Sequence, residues 1–337
     1  MLRKARLLVI AAAAAIMLAA CAGNSSSSSS SSTAAANAAH GTLGGSTQGK
    51  KVTFIIYADQ STPFFNPVVA GARAAAKIYG LNLNVEYSNS DNSTQVNQIE
   101  TATAGGVNAL AVSIPSNTAF TKAICAAHAK GIPVVAFNVT ATAGPVLNCV
   151  LSFVGQDFQQ AGYEIAHQLV SDGKVPHGAQ VFCPVEDPTA VYASGRAAGA
   201  NRALAAVGAH CDVVSTGFDL AQAQTTETQY LLGHQGTKVI LGLGQVPLQV
   251  APAATKAAHT QAAIAGFDLS PQISNSLKDG TILATVEQQP YLQGYYAVTQ
   301  LALNLAYGST PSNVNTGNAI VNKSNVGRIA SLAGTVY

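Results

Sequence analysis

The chain has 337 residues, 48% of them hydrophobic, and 17 Lys and Arg against 15 Asp and Glu give it a formal net charge of +2. This near balance does not indicate a strongly basic chain of the kind that binds nucleic acid, so we expect no nucleic acid as a partner. Charged residues make up only 9% of the chain, well below the roughly 25% of typical domains. We interpret the difference as Ala and Ser replacing charge at the surface.

Residues 1–20 have the pattern of a signal peptide. Arg3, Lys4 and Arg6 precede the apolar run LLVIAAAAAIMLAA, which is too short to span a bilayer comfortably. Leu18-Ala19-Ala20-Cys21 resembles a bacterial lipobox, which implies cleavage before Cys21 and lipidation of that cysteine. The alternative is an ordinary signal peptide followed by an incidental cysteine. Without the leader, 14 basic residues stand against 15 acidic ones, a net charge of −1.

Residues 21–50 are of low complexity, with a serine run from Ser25 to Ser32 followed by Ala, Gly and Thr. Such a segment cannot bury enough apolar surface to fold, so we expect it to be disordered. Beside a lipobox we interpret it as a flexible tether that holds the folded part away from a membrane. The alternative is a tail without a function.

From residue 51 onward, short apolar runs alternate with Ala-rich helical stretches at intervals of roughly 25 to 30 residues. This order predicts an α/β fold with doubly wound parallel sheets, and about 285 residues are enough for two lobes. The predicted strands are VTFIIYA, LNLNVEY, ALAVSI, IPVVAF, AQVFCPV, DVVST, KVILGL, AAIAG and the run from Thr281 to Val286.

Candidate ligand residues follow several of these strands, where open α/β sheets bind ligands. Asp268 comes just after AAIAG, and its carboxylate could accept from two adjacent hydroxyl groups of a ligand. The alternative is that Asp268 caps the short helix predicted after Ser270-Pro271. Glu186, at the end of AQVFCPV, is a second carboxylate candidate, which could instead cap a turn.

Four segments in order along the chain carry a family resemblance: KVTFIIYADQSTPFFNPVVAG, GIPVVAFN, FVGQD and residues 261–294. Together they resemble the periplasmic sugar-binding proteins of the ribose-binding type over about residues 51–320. The resemblance implies two Rossmann-like lobes joined by a three-stranded hinge, the type I fold of periplasmic binding proteins. It implies an N-terminal lobe of residues 51–156 plus 289–317 and a C-terminal lobe of residues 157–288 plus 318–337. The expected crossings lie near Gly155–Asp157, Gln288–Pro290 and Thr316–Asn318.

The resemblance also implies a ligand site between the lobes. Asn138 and Val139 occupy the positions of an Asp-Arg pair in ribose-type receptors, a difference that argues against ribose itself while aldopentoses, hexoses, polyols and cyclitols all remain open. Arg196 falls on a ligand-binding arginine of the family, although it could be an ordinary exposed helix residue. Phe64 and Phe65 stand where the family has an aromatic wall, and one of them could instead fasten the helix to the core. The implied ligand residues are Asp59, Thr62, Phe64, Phe65, Asn138, Glu186, Arg196, Phe218, Asp268 and Gln288.

The four cysteines after Cys21 suggest two disulfides in an exported protein, and four cysteines allow three pairings. Cys125–Cys149 and Cys183–Cys211 are favoured because each pair would lie within one lobe. The alternative is four free buried thiols. No CxxC or HxH spacing occurs and the seven histidines are scattered, so no metal and no cofactor are expected.

These observations predict an extracytoplasmic, lipid-anchored, monomeric solute-binding protein. Its ligand would be a small carbohydrate or polyol, delivered to the permease of an ABC importer. One alternative is a partner that presents its ligand to a membrane sensor. An enzyme is less favoured, because Glu186 and Asp187 are adjacent and point apart in an extended segment and no GxSxG occurs. The effector domain of a transcription regulator is disfavoured by the export leader. The sequence does not identify the sugar.

Overall fold

The computed structural model describes residues 45–337 of the chain, so Cys21, the leader and most of the proposed tether lie outside the described residues. Two six-stranded sheets form the framework, and we call each sheet with its packed helices a lobe. Lobe 1 contains the strands β1 (Lys51–Ile56), β2 (Asn82–Tyr87), β3 (Ala109–Val112), β4 (Val134–Asn138), β5 (Ser152–Gly155) and β11 (Val314–Asn315). Lobe 2 contains β6 (Gln180–Val185), β7 (His210–Ser215), β8 (Val239–Gly242), β9 (Ala263–Phe267), β10 (Ala284–Glu287) and β12 (Ala319–Asn322).

The two sheets repeat one strand order. Lobe 1 has the order β2-β1-β3-β4-β5-β11, and lobe 2 has the order β7-β6-β8-β9-β10-β12. The pairs are parallel except that β12 runs antiparallel to β10. Strands such as β3 and β4 are buried along their whole length, as expected for parallel strands covered on both faces. The predicted α/β fold with two doubly wound lobes is therefore confirmed.

Helices cover both faces of each sheet. In the first part of the chain they are α1 (Phe65–Tyr79), α2 (Asn92–Ala104), α3 (Thr121–Ala129) and α4 (Phe158–Ser171). The later helices are α5 (Val191–Leu204), α6 (Leu220–Gly233), α7 (Gln245–Ala257), α8 (Pro271–Asp279) and α9 (Pro290–Tyr307). Helix α1 packs on α9 in lobe 1, and α4 packs on α5 in lobe 2.

Close packing of α5 against α4 depends on a glycine. A Cβ at Gly199 would overlap the backbone carbonyl oxygen of Gln159, so only a residue without a side chain allows this approach. The contact fixes α5 on α4 within lobe 2, and α5 is the helix that carries Arg196.

The chain passes between the lobes three times. It leaves lobe 1 at residues 156–157, between β5 and α4, and returns at residues 288–289, between β10 and α9. It crosses again at residues 316–318, between β11 and β12. These crossings are the three-stranded hinge that the family resemblance implies. The short strands β5, β11 and β12 were not among the predicted strands.

Each disulfide lies within one lobe. Cys125 on α3 is bonded to Cys149 in lobe 1, and Cys183 on β6 is bonded to Cys211 on β7 in lobe 2. This is the pairing that the sequence favoured over the alternatives.

Candidate ligand-binding site

A cavity with about 450 Å³ of empty space lies between the lobes. Every predicted ligand residue except Asp59 lines it. Asp59 is the exception because its Oδ1 turns back to accept from the backbone N–H of Ser61 at 2.7 Å, which stabilises the loop. The lining also includes Gln245 and residues that were not predicted as ligand contacts: Tyr57, Phe158, Tyr192, Gly244 and Val246.

Asp268 directly follows β9 at the carboxyl edge of the lobe 2 sheet. Its Oδ1 accepts from Gln288 Nε2 at 2.5 Å and lies 3.8 Å from Nη2 of Arg196. Helix α8 is capped instead by Ser270, whose Oγ accepts from the N–H of Ile273, so the capping alternative for Asp268 does not apply. Burial raises the pKa of the Asp268 carboxyl above its ordinary value, whereas the Arg196 guanidinium lowers it.

Arg196 projects from α5 and is only 3% exposed, unlike an ordinary arginine on a helix surface. Its Nη1 donates to Leu243 O at 2.6 Å, and its Nη2 donates to Gln156 Oε1 at 3.1 Å. The guanidinium carbon lies 4.0 Å from the ring centroid of Phe267, within cation–π range. Within residues 45–337 its buried Nε–H has no hydrogen-bond partner.

Asn138 ends β4 in lobe 1, at the strand position that corresponds to β9 in lobe 2. Its Nδ2 donates to Gln293 Oε1 at 3.0 Å. The side chain of Gln293 in turn donates to Gln288 Oε1 at 2.9 Å and to Thr316 Oγ1 at 3.2 Å. Gln293 does not line the cavity and was not predicted, yet it links the site residues of both lobes through two of the hinge crossings.

Glu186 directly follows β6 and is 7% exposed. Its Oε1 accepts from the backbone N–H of Val246 at 3.0 Å, and its Oε2 accepts from the hydroxyl of Tyr192 at 3.2 Å. A Cβ at Gly244 would overlap this carboxylate, so a side chain at position 244 would displace Glu186 from its present place. Burial raises the pKa of the Glu186 carboxyl, and the backbone hydrogen bonds lower it.

Aromatic side chains form much of the cavity wall. Phe64 and Phe65 meet edge to face at 5.2 Å, and Phe65 also packs edge to face on Tyr57 at 5.6 Å. Tyr57 of lobe 1 lies 6.4 Å from Phe218 of lobe 2. Both phenylalanines of the first loop therefore line the cavity, although only one was expected to do so.

The remaining polar walls come from the loops. Thr62 lies in the loop after β1, and its backbone N–H donates to Asp59 O at 3.0 Å. Gln245 opens α7 and donates from Nε2 to Leu269 O at 2.9 Å.

Residues 45–337 hold no group of His, Cys, Asp and Glu side chains that could bind a metal. Within this range no helix combines the length and the apolar character that crossing a bilayer requires.

The fold and this cavity define a two-lobed solute-binding protein. Residues 52–309 match the family described as periplasmic binding protein domain. The chain belongs to this family, and its resemblance to the ribose-binding type is confirmed by named relatives.

Two relatives illustrate the similarity. The xylose/arabinose-binding protein XylF of Sulfolobus acidocaldarius is 29% identical over 297 residues, which cover 82% of this chain and 72% of the relative. The ribose import binding protein RbsB of Bacillus subtilis is 29% identical over 266 residues, covering 78% of this chain and 85% of the relative. The family is one of periplasmic binding proteins and both relatives are named as sugar-binding proteins, so the enzyme alternative is set aside.

A solved structure has the same architecture. The carbohydrate transporter from Acidothermus cellulolyticus 11B, in complex with myo-inositol, is 30% identical and superposes with a TM-score of 0.78. The comparison covers 85% of this chain and 99% of that one.

Proposed function

We propose that this protein captures a small carbohydrate or polyol in the cavity between its lobes and delivers it to the permease of an ABC importer. Asp268, Asn138, Arg196 and Gln288 hold hydroxyl groups of the ligand. Phe64 or Phe65 and Phe218 enclose its ring from opposite lobes. Thr62 and Glu186 complete the polar contacts.

The unpartnered Nε–H of Arg196 is the observation that carries this proposal. A buried donor without a partner costs about 1–3 kcal/mol, and a ligand hydroxyl would remove that cost. Acceptors are also available, because within residues 45–337 neither Oδ1 of Asn138 nor Oδ2 of Asp268 accepts a hydrogen bond. A polyhydroxylated molecule can serve the donor and both acceptors at once.

Aromatic rings on both sides of the cavity support a sugar ring or a cyclitol. Such rings present C–H faces that pack on aromatic planes, while their hydroxyl groups require directed partners. The named relatives bind xylose or arabinose and ribose, and the related solved structure contains myo-inositol. These ligands share a ring that carries several hydroxyl groups.

We propose that the two lobes close over the ligand about the three crossings. The moving units are residues 51–156 plus 289–317 and residues 157–288 plus 318–337. Contacts across the cleft support a closed form: the N–H of Val191 in lobe 2 donates to Pro115 O in lobe 1 at 3.2 Å. The protein acts as a monomer in this proposal, because each chain supplies both walls of its cavity.

We further propose that lipidated Cys21 anchors the protein outside the cytoplasmic membrane, with residues 22–50 as the tether. Partition of the wild type into detergent, and its loss in Cys21→Ser, would support the anchor. Equal partition of both proteins would contradict it. Loss of uptake of the ligand in a deletion strain would support the importer role over presentation to a sensor.

Thermal unfolding of the purified protein, screened against sugars, polyols and amino acids, tests the ligand class. A ligand that binds only the folded state stabilises it by about 2.7 kcal/mol at one hundred times its Kd. Stabilisation by amino acids alone, with no effect of any polyhydroxylated compound, would refute the proposal.

The site is tested by a matched pair of aspartates. We expect Asp268→Ala to weaken binding of the ligand found in the screen by more than tenfold. Asp59→Ala should leave binding unchanged, because Asp59 lies outside the cavity lining. Wild-type affinity in Asp268→Ala would show that the site is assigned wrongly.

A further inference from the structure

The acidic and basic groups that line the cavity do not balance. Oδ1 of Asp268 lies 3.8 Å from Nη2 of Arg196, and Arg196 is the arginine that lines the cavity. Glu186 is the second carboxyl, and among residues 45–337 it forms no ion pair. Its partners are the neutral Val246 N–H and Tyr192 hydroxyl. The cavity thus has one buried carboxyl without a counter-ion.

Aromatic rings flank this carboxyl. Tyr192 donates to it from lobe 2, and Tyr57 of lobe 1 lines the same cavity. Tyr57 and Glu186 occupy equivalent positions, because each is the first residue after the corresponding strand of its sheet, β1 or β6. Burial is the main cause that raises the pKa of the Tyr57 hydroxyl, and the nearby Glu186 raises it further. The hydroxyl therefore remains neutral. A buried carboxyl beside aromatic faces is a favourable environment for a cation.

We propose that Glu186 is the counter-ion for an ammonium group of the ligand. This proposal rests on the proposed function and narrows the ligand class to amino sugars and aminocyclitols. A buried charge is stable only when it is paired and hydrogen-bonded. An ammonium group supplies both the charge and up to three donors, and charge-assisted hydrogen bonds are stronger than neutral ones.

The remaining hydroxyl groups of such a ligand would bind at the other polar part of the cavity. There Arg196 neutralises Asp268, so that part favours neutral hydroxyl groups. The same arrangement disfavours uronic acids and sugar phosphates, because an added anionic group would meet a net negative lining.

Isothermal titration calorimetry of the full wild-type protein at pH 7 tests the proposal with matched pairs of probes. The pairs are D-glucosamine with D-glucose, D-galactosamine with D-galactose, and scyllo-inosamine with scyllo-inositol. We expect at least one amine to bind tenfold or more tightly than its neutral parent. Its N-acetylated derivative should lose that advantage, because the charge is removed.

Variants assign the preference to Glu186. Glu186→Gln keeps the size and the acceptor oxygen but removes the charge, so the amine and its parent should bind with similar affinity. Glu287→Gln serves as the matched control, because Glu287 is also a buried glutamate but does not line this cavity. It should retain the preference for the amine.

The outcomes separate this proposal from the proposed function. If neutral parents bind at least as tightly as the amines in every pair, the ammonium proposal is wrong and the proposed function stands. If no sugar, polyol or amine binds, both are wrong. A preference that survives N-acetylation or Glu186→Gln also overturns the role of Glu186. The N-acetylation comparison uses wild-type protein, so it remains decisive if Glu186→Gln does not fold.

Discussion

Asn138 of lobe 1 and Asp268 of lobe 2 are joined by a continuous chain of hydrogen bonds through Gln293 and Gln288. Both end residues lie at the carboxyl end of corresponding strands, β4 and β9, and both have positive φ, 60° and 71°. This series of hydrogen bonds passes through Gln288 in the second hinge crossing. Gln293 also donates to Thr316 Oγ1 in the third crossing. The two walls of the cavity are thus connected through the hinge itself.

Gln293→Met should weaken ligand binding although the side chain does not line the cavity. Methionine has a similar size but leaves Asn138 Nδ2 and Gln288 Oε1 without this partner, at a cost of about 1–3 kcal/mol. We expect lower stability in urea unfolding and a several-fold loss of affinity in calorimetry.

Gln300→Met is the control on the same helix, because among residues 45–337 the Gln300 side chain bonds only to Ser152 and Ser312 of lobe 1. Its ligand affinity should match that of the wild type. An equal loss of affinity in both variants would show that the effect is not specific to the chain through Gln293.

Substitution of Asn138 separates its backbone role from its side-chain role. At φ 60° a residue with a Cβ other than Asn or Asp is strained by roughly 1–2 kcal/mol, whereas glycine is not. We therefore expect Asn138→Gly to be more stable than Asn138→Ala in urea unfolding. Both should bind ligand more weakly than the wild type. Equal stability of the two variants would contradict the strain at this position.

Arg196→Lys should lower both stability and ligand affinity despite keeping the charge. Lysine cannot reproduce the planar fork that reaches Leu243 O and Gln156 Oε1, and hydrogen bonds to charged groups contribute about 1.5–3 kcal/mol each. Arg202 lies on the same helix at an exposed site, where its guanidinium lies over the ring of Tyr163. Arg202→Lys is the control and should change stability by less than about 0.5 kcal/mol. Wild-type affinity in Arg196→Lys would mean that charge alone suffices.

Glu287 should make the stability of the protein depend on pH between the pKa values of its carboxyl in the unfolded and the folded state. Burial raises the pKa of its carboxyl from 4.5 to about 8 in the folded protein, although its backbone hydrogen bonds lower it. A carboxyl whose pKa is raised on folding contributes stability that is fully present below pH 4.5, the unfolded value. That stability is lost as the pH rises through about 8, the folded value. Urea unfolding of Glu287→Gln should therefore show a smaller loss of stability over this range than the wild type.

The control for this measurement is Glu100→Gln, at an exposed position on α2. Its pH profile should follow that of the wild type. Parallel profiles for the wild type and Glu287→Gln would place the folded pKa of Glu287 near its ordinary value.

The positions of Asp268 and Asn138 could be predicted because parallel strands bring their carboxyl ends to one edge of a sheet. The same rule applies to Tyr57, which directly follows β1 and was overlooked. Arg196 lies within a helix, so only the family resemblance singled it out. The position of Asp59 outside the cavity lining could not be foreseen, because the sequence does not show that its side chain turns back onto Ser61.

Other features had no signal in the sequence. Gln293 and Tyr192 lie on helices, where nothing in the local pattern distinguishes the side facing the cleft from the side facing the core. Strands β11 and β12 are two and four residues long, too short for an alternating pattern. Their existence depends on tertiary pairing with β5 and β10.

The chain order of lobe 1 affects how the polypeptide folds. Helix α9 and strand β11 pack on lobe 1 but come after all of α4 to β10 in the chain. As the polypeptide emerges, lobe 1 cannot complete its sheet until residue 315 is available. Most of lobe 2 is contiguous, and from later in the chain it needs β12 and residues 326–337, which pack against α8. Because contacts between distant segments form slowly, the contiguous part of lobe 2 from α4 to β10 should become protease-resistant before lobe 1, which must wait for α9 and β11.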